Sequence, residues 1–436
     1  MNNTENMDNM NEAQQFLKKH QLTSSEIDIN EVVNDFLHEM EAGLKGHDSS
    51  LIMIPTYIEA DRQLEPNEPV IAIDAGGTNF RTAKMWFDDD MKLVVKDLKN
   101  GKMPAVDREF SKEEFFNAMA DFLKDYKDVS YKIGFCFSYA VEIYPNKDGK
   151  LLEWSKEVRA PEVIGEMIGE NVLKALGTPE KHVVILNDTV ATLLAGQAAT
   201  AGKTYDTYIG FILGTGTNTC YIELNKNITK KPDLDQQHTQ IINIESGNFG
   251  KVPRTDIDLL FDSQTKNPGR YSFEKMFAGG YFGGLVTTAL RVAANEGVFS
   301  EASKYNLKEL MELSTEEVNN FVLGTGLGNN PLARAITSEE DRKFVVMIVE
   351  AMIERAAKLV AANLAAVILK TGKAKSAEKP VLMTIEGTTF YKLKDFQEKF
   401  ERFLKEYLTG DKQRYYEIIE VENSSLVGAA IAGIVN

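Results

Sequence analysis

The sequence predicts an α/β protein, and three observations carry that expectation. From Pro69 onward, short apolar runs bounded by glycine turns alternate with amphipathic stretches of helical period. A strand–turn–strand unit at 70–87, VIAIDAGGTNFRTAKMWF, returns at 207–224 as TYIGFILGTGTNTCYIEL, so that Gly77-Thr78-Asn79 repeats as Gly216-Thr217-Asn218 with one such turn in each half. The composition is that of a globular chain: 436 residues, 43% hydrophobic and 26% charged, enough for two or three domains with a sizeable core.

The elements follow in order. The first 45 residues read as a polar tail and one or two amphipathic helices ending near Gly43 and Gly46. Residues 70–87 and 91–98 read as an antiparallel meander. Ser111 opens a helix through a capping box with Glu114. A strand at 131–139, a helix around 162–176, a strand at 182–187 and a helix at 189–200 complete the first alternation. After the second glycine hairpin the chain turns helical, with helices expected around 272–296, 306–322 and 338–370. It closes with strands at 380–385 and 415–421, a helix near 392–407 and a small-residue helix, SSLVGAAIAGIVN.

Charge and cysteine content exclude several functions. A net charge of −16 argues against nucleic acid and anionic membranes, because both require a surplus of lysine and arginine. Cys136 and Cys220 sit in apolar runs and support no disulfide framework, which suits a reducing compartment, and the five histidines show no zinc spacing. The polar, acidic start is unlike a signal or transit peptide, and charges interrupt the apolar tract at 343–370, so a soluble cytoplasmic protein is expected.

Chemistry concentrates at a few places. In Asp74-Ala75-Gly76-Gly77-Thr78-Asn79, paired glycines allow close approach to an anion that backbone N–H groups and a threonine hydroxyl hold, although Gly-Gly serves a plain hairpin turn equally well. Gly214-Thr215-Gly216-Thr217-Asn218 offers the same chemistry but fails the dinucleotide fingerprint, since Thr219 stands at the third glycine position. Gly324-Thr325-Gly326-Leu327-Gly328 has similar composition but reads as a surface loop between helices. Asp188, in Asn187-Asp188-Thr189 after an apolar strand, reads singly as a helix cap. It becomes a natural base if a hydroxyl must lose its proton beside phosphates. Glu153-Trp154-Ser155-Lys156, Glu245 and Glu274 offer hydroxyl, cation and carboxylate groups to a polyhydroxylated ligand; taken singly, each glutamate is a solvated charge.

Together these segments resemble the hexokinase family, collinearly from about residue 70 to the end. DAGGTNFR resembles its first phosphate motif, GFCFSYAVEIYPNKDGKLLEWSKEV its sugar signature and LNDTVATLLAG its catalytic-aspartate segment. GTGTNTCYIE resembles the second phosphate motif, NIESGNFG and NPGRYSFEKMFAGGY the two sugar-gripping glutamate segments, and TIEGTTFYKL the adenosine motif. The resemblance implies a two-lobed actin-like ATPase (ribonuclease H-like) fold with a cleft between lobes, acting on a hexose with ATP and Mg2+. Asp188 would be the general base, and Lys156 would be the second catalytic residue. Ser138, Ser155, Lys156, Asn187, Asn218, Glu245 and Glu274 would hold sugar hydroxyls. Gly76, Gly77, Thr78, Asn79 and Arg81 would face the phosphates from one side and Gly214, Thr215 and Gly216 from the other. Gly387, Thr388 and Ser425 would flank the adenosine, and Asp74 would reach magnesium through water.

The sequence departs from the family pattern at Ala140, where proline is usual, at Ser155, where threonine is usual, and at Leu426-Val427, where a glycine is missing. The small lobe is expected to span 70–186 with the returning helix 425–436, and the large lobe 187–424 with the N-terminal helices in 11–69. The expected partners are a small-molecule sugar and a nucleotide, with the chain a monomer or homodimer. Two rival readings stand beside a glucose kinase: a kinase for another sugar, and a sugar-binding regulator that lost turnover.

Overall fold

Two glycine-turned hairpins seed two sheets. In the first, Val70–Gly76 pairs antiparallel with Asn79–Phe87, placing Gly76 opposite Asn79 and Asp74 opposite Arg81. Gly77 adopts φ 55°, the left-handed region that a two-residue hairpin connection demands. The computed structural model describes residues 11–59, 65–77, 79–154, 158–200 and 202–436; Thr78, Ser155 and Lys156 lie outside these.

The first sheet has five strands in the order Leu93–Lys102, Asn79–Phe87, Val70–Gly76, Lys132–Phe137 and His182–Leu186. Its last three strands run parallel, which requires both faces to be covered. Alternation along Val70–Ala75 satisfies this requirement. Ile71, Ile73 and Ala75 join Phe80, Phe135 and Phe137 in a core closed by the helices Lys112–Leu123 and Ile168–Leu176. Val70 and Ala72 face the C-terminal helix Ser424–Val435 on the other side.

The second sheet has six strands in the order Ile54–Pro55, Thr239–Asn243, Thr217–Leu224, Thr207–Leu213, Val381–Glu386 and Tyr416–Ile419. The long helix Glu339–Thr371 and its neighbours bury one face around Phe211, Tyr221, Met383 and Ile385. Against the other face lies the helix Asp188–Ala199, where the Gly196 Cα sits so close to Thr384 that a Cβ there would come within 1.7 Å of its Oγ1.

Two helices therefore occupy the space between the sheets, and they meet main chain to main chain. A Cβ at Gly428 would lie 2.1 Å from the Ala191 carbonyl oxygen, and where the C-terminal helix rests on the strand Lys132–Phe137 a Cβ at Gly134 would lie 1.7 Å from the Ala429 carbonyl oxygen. The small-residue composition of SSLVGAAIAGIVN is what permits this approach.

Several elements differ from the expectation. The helix expected at 272–296 starts only at Phe282; a short 3-10 turn at Glu274–Met276 and an irregular stretch, 277–281, precede it. The reason is a contact with another segment: Gly279 and Gly280 donate their N–H groups to the carbonyls of Gly214 and Thr215, 2.8 Å each, and cannot also belong to a helix. A small hairpin, Ala140–Ile143 with Gly149–Glu153, the strand Thr239–Asn243 and the helix Asp256–Gln264 add to the expected elements. Gly324–Gly326 forms an exposed loop. No helix among the described residues is long and apolar enough to cross a membrane.

Replacing Gly428 by Ala forces the two central helices apart and is expected to lower unfolding stability by about 1–3 kcal/mol. Gly328→Ala, in open space, should stay within about 0.5 kcal/mol of the parent. Urea unfolding of both variants checks this, and equal midpoints would mean the helix crossing is not the constraint described.

Candidate functional site

The strand His182–Leu186 ends where the helix Asp188–Ala199 begins, which presents Asn187 and Asp188 at a helix N-terminus between the two hairpin turns. Asn187 is the N-cap, its Oδ1 accepting from the Thr189 N–H at 2.9 Å. Asp188 Oδ1 accepts the same N–H at 2.8 Å, which leaves its second oxygen for other chemistry. Both residues are half-buried.

Beside them a polar cluster rises from the second sheet. Asn218, in the second GTN turn, accepts through Oδ1 from the Thr219 N–H at 2.7 Å and the Ser246 N–H at 3.3 Å. Its Nδ2 faces Asn243 Oδ1 at 2.7 Å, Glu245 Oε1 at 3.3 Å and Asn187 Oδ1 at 3.4 Å. Asn243 Nδ2 donates to Glu245 Oε1 at 2.7 Å. Glu245 sits at φ 59°, a left-handed conformation that costs a non-glycine residue about 1–3 kcal/mol and turns the chain sharply after the strand. Glu274 Oε2 accepts the Thr217 N–H at 2.8 Å, and Gly216 has no room for a Cβ because that oxygen would lie 2.7 Å away. Asn187, Asp188, Asn218, Glu245 and Glu274 thus form one group drawn from four separate stretches of sequence.

Burial raises the Glu245 carboxyl above its ordinary value, opposed by the Asn243 and Asn218 donors and reinforced by the Asp188 charge. Burial pushes Glu274 up to about 7, opposed by the Thr217 N–H and reinforced by the Glu245 charge.

Across the cleft, Asp74 is 6% exposed, and Oδ2 accepts from Arg81 Nε at 2.9 Å. Burial raises the Asp74 carboxyl, Arg81 opposes the rise, and the Asp188 charge adds to it. Arg81, expected to face phosphates, is held by its cross-strand neighbour Asp74 and by Asn423 Oδ1 at 2.8 Å. Gly76 borders this carboxylate and Ser138: a Cβ there would lie 3.5 Å from Ser138 Oγ and 3.8 Å from Asp74 Oδ1. Gly77 carries the left-handed turn, its carbonyl accepting from the Tyr139 hydroxyl at 2.9 Å, and Asn79 is exposed.

The second glycine turn is tied back through its carbonyls. Gly214 O accepts from Gly279 N and from Thr389 Oγ1 at 2.9 Å, while Thr215 is exposed. Gly387, at φ 122°, packs so tightly on Leu213 and Gly214 that only glycine fits. Thr388 is exposed and Thr389 makes the bond to the turn. Ser425 is half-buried, whereas its neighbour Ser424 is buried and donates to Glu386, which also accepts from Thr192 Oγ1 at 3.1 Å.

Sequence reasoning missed Asn243, Glu386, Thr389, Asn423 and Ser424. For Asn243 a signal existed: it lies two residues before Glu245, at the end of an apolar strand where a polar side chain needs a reason. The described residues contain no group of three His, Cys, Asp or Glu placed to hold a metal. Both Arg81 bonds fall on Asp74 Oδ2, and a carboxylate oxygen is the hard donor that magnesium prefers.

The chain matches two family models, both described as hexokinase, over residues 12–198 and 208–435. It is 28% identical over 422 residues to Hexokinase-7 of Oryza sativa subsp. japonica, covering 90% of each chain. It is also 28% identical to Glucokinase-1 of Saccharomyces cerevisiae, covering 93% of this chain and 94% of that one. Its fold is similar to that of a hexokinase from Schistosoma mansoni complexed with glucose, with TM-score 0.76 and 24% identity, covering 97% and 99% of the two chains. The chain belongs to the hexokinase family, the sugar-phosphorylating phosphotransferases, and has the family's two-lobed actin-like ATPase fold.

Proposed function

We propose that the chain transfers the γ-phosphoryl group of ATP to the primary hydroxyl of a hexose, glucose being the first candidate, with Asp188 as general base. The observation that supports this reading is the convergence of Asn187, Asp188, Asn218, Glu245 and Glu274 on one half-buried site between two glycine turns. The name of the yeast relative, Glucokinase-1, favours glucose.

In this reading the carboxylates of Glu245 and Glu274 accept from sugar hydroxyls, and Asn187 and Asn218 turn N–H groups toward them. Asp188 has one oxygen engaged by the Thr189 N–H. Its other oxygen takes the proton of the attacking hydroxyl as the oxygen–phosphorus bond forms, and the leaving diphosphate departs as ADP. Asp74 would hold the nucleotide's magnesium through water, and that ion supplies neutralisation of phosphate charge. Ser155 and Lys156, outside the described residues, would complete the sugar site from the small lobe. There Glu153 already reaches across to the Tyr271 hydroxyl at 3.5 Å and Arg270 Nη2 at 3.8 Å. Closing the lobes would exclude water that competes with the sugar.

Asp188→Ala is expected to lower kcat by roughly 10²-fold or more while sugar affinity stays largely intact. A coupled assay of ADP release with glucose, fructose and mannose, alongside direct sugar binding, reads both quantities. Surviving activity in the variant removes Asp188 as the base, and sugar binding without ADP formation in the parent chain points to a regulator.

Glu274 yields a second test. Its folded-state value near 7 lies above the ordinary 4.5, so the folded chain keeps a proton that the unfolded chain has lost. Stability of the unliganded protein should therefore fall as pH rises from about 4.5 through 7 and level off above. Glu274→Gln should remove that fall, gaining on the order of 1–3 kcal/mol at pH 8, and should weaken sugar binding about 10-fold through loss of a charged acceptor. Melting temperature against pH for both proteins checks the sign; parallel curves would refute the assignment.

A further inference from the structure

We infer that Asn243 is a positioning residue for sugar phosphorylation, holding Asn218 and Glu245 in the single polarity that leaves their remaining groups to the sugar. The inference rests on the reading of Asn218 and Glu245 as sugar-holding residues.

The polarity follows from groups that can act in only one way. Backbone N–H groups only donate, so the Thr219 and Ser246 N–H groups identify the Asn218 atom they meet as the carbonyl oxygen. Asn218 Nδ2 must then donate, and the Asn243 atom 2.7 Å away must be Oδ1. That choice turns Asn243 Nδ2 toward Glu245 Oε1, also 2.7 Å away. The chain of bonds runs from backbone to Asn218 to Asn243 to Glu245. It engages one carboxylate oxygen and leaves the other open.

Nothing else in the fold requires an amide at this position. Asn243 is 5% exposed and lies among Ile241, Ile242 and Ile244. Its backbone is already placed in the sheet opposite Cys220 on one side and Ile54 on the other. An apolar residue would satisfy the core at lower desolvation cost, so the amide is explained by its two side-chain partners. Those partners are also the groups whose misplacement would matter most. Glu245 stands on a strained left-handed backbone with Glu274 and Asp188 as neighbouring carboxylates, and without Asn243 it keeps only the longer 3.3 Å bond from Asn218 to hold its side chain against them.

The test compares the full-length parent with Asn243→Asp, Asn243→Ala and Glu245→Ala, measuring sugar KM and kcat at pH 6 and pH 8, with circular dichroism and melting temperature as checks of folding. Asn243→Asp keeps the shape and the acceptor but sets a second carboxylate against Glu245. At pH 8 its sugar KM should exceed the parent's by about 10-fold or more, with kcat within about threefold. The excess should shrink toward pH 6, where a proton shared between the two carboxylates restores a donor. Asn243→Ala should raise KM to a similar extent at both pH values, and it carries the test if the aspartate variant does not fold. A KM within twofold of the parent in the folded Asn243 variants, while Glu245→Ala raises KM, overturns the inference alone. An unchanged KM in Glu245→Ala overturns the sugar-site reading and the inference with it.

Discussion

The rest of the molecule depends on one contact: the main chain of the C-terminal helix resting on that of the helix Asp188–Ala199 at Gly428 and Ala191. No side chain stands between the two helices there. Each helix also lies against a sheet, through Gly134 on one side and through Gly196 and Gly210 on the other, again with no room for a Cβ. A seam of this kind fixes distances more tightly than interdigitated large side chains, because it has no rotamers to adjust. Its consequence reaches the site. The N-terminus of one helix carries Asp188, and the N-terminus of the other carries Asn423 and Ser424, which hold Arg81 and Glu386. Packing of the small residues thereby sets where the candidate base stands relative to both glycine turns.

Around that frame the site is built from polar groups that restrain one another. Asn243 and Asn218 supply donors to Glu245, and the Thr217 N–H supplies one to Glu274. Behind them Thr219 Oγ1 meets Ser246 Oγ at 3.0 Å and accepts from Asn363 Nδ2 at 2.9 Å, deep in the long helix Glu339–Thr371. Asn363 is fully buried and its Oδ1 has no partner among the described residues, a cost of about 1–3 kcal/mol that an alanine in the same helix would avoid. A left-handed Glu245, an Asn363 with an unpaired oxygen among the described residues, and two carboxyls raised by burial all touch residues of the second hairpin. Local rules are broken where the site is, and the apolar helices around it compensate.

What was legible in the sequence follows the same division. The two hairpins were readable because period-two apolar runs flank glycine turns, and the central helices because an apolar strand precedes Asp188 and small residues fill the end of the chain. The stretch 272–296 reads as one helix because nothing in its period shows that Gly279 and Gly280 are committed to another segment's carbonyls. Thr389 and Thr388 are indistinguishable in sequence, yet only the first reaches Gly214. Asn243 was visible only as an isolated polar residue ending a strand. Ladder register, which sets it beside Asn218, arises from pairing between strands far apart in the chain and cannot be read from local pattern.

Part of the chain's acidity lies inside the cleft. Asp74, Asp188, Glu245, Glu274 and Glu386 surround it, and burial raises the proton affinity of Asp74, Glu245, Glu274 and Glu386, with the Asp188 charge adding to the rise at Asp74, Glu245 and Glu386. Among the described residues, Arg81 opposes this rise at Asp74, with which it is paired, and Lys275 opposes it at Glu274. A bare polyphosphate entering here would add to the repulsion, whereas a polyphosphate that brings a divalent cation would relieve it at Asp74. In the proposed reading the glycine turns would meet the remaining requirement, since neutral N–H groups can bind phosphate oxygens without adding charge beside the candidate base Asp188. For the proposed reaction, these carboxylates would favour a metal-bearing nucleotide over a free one.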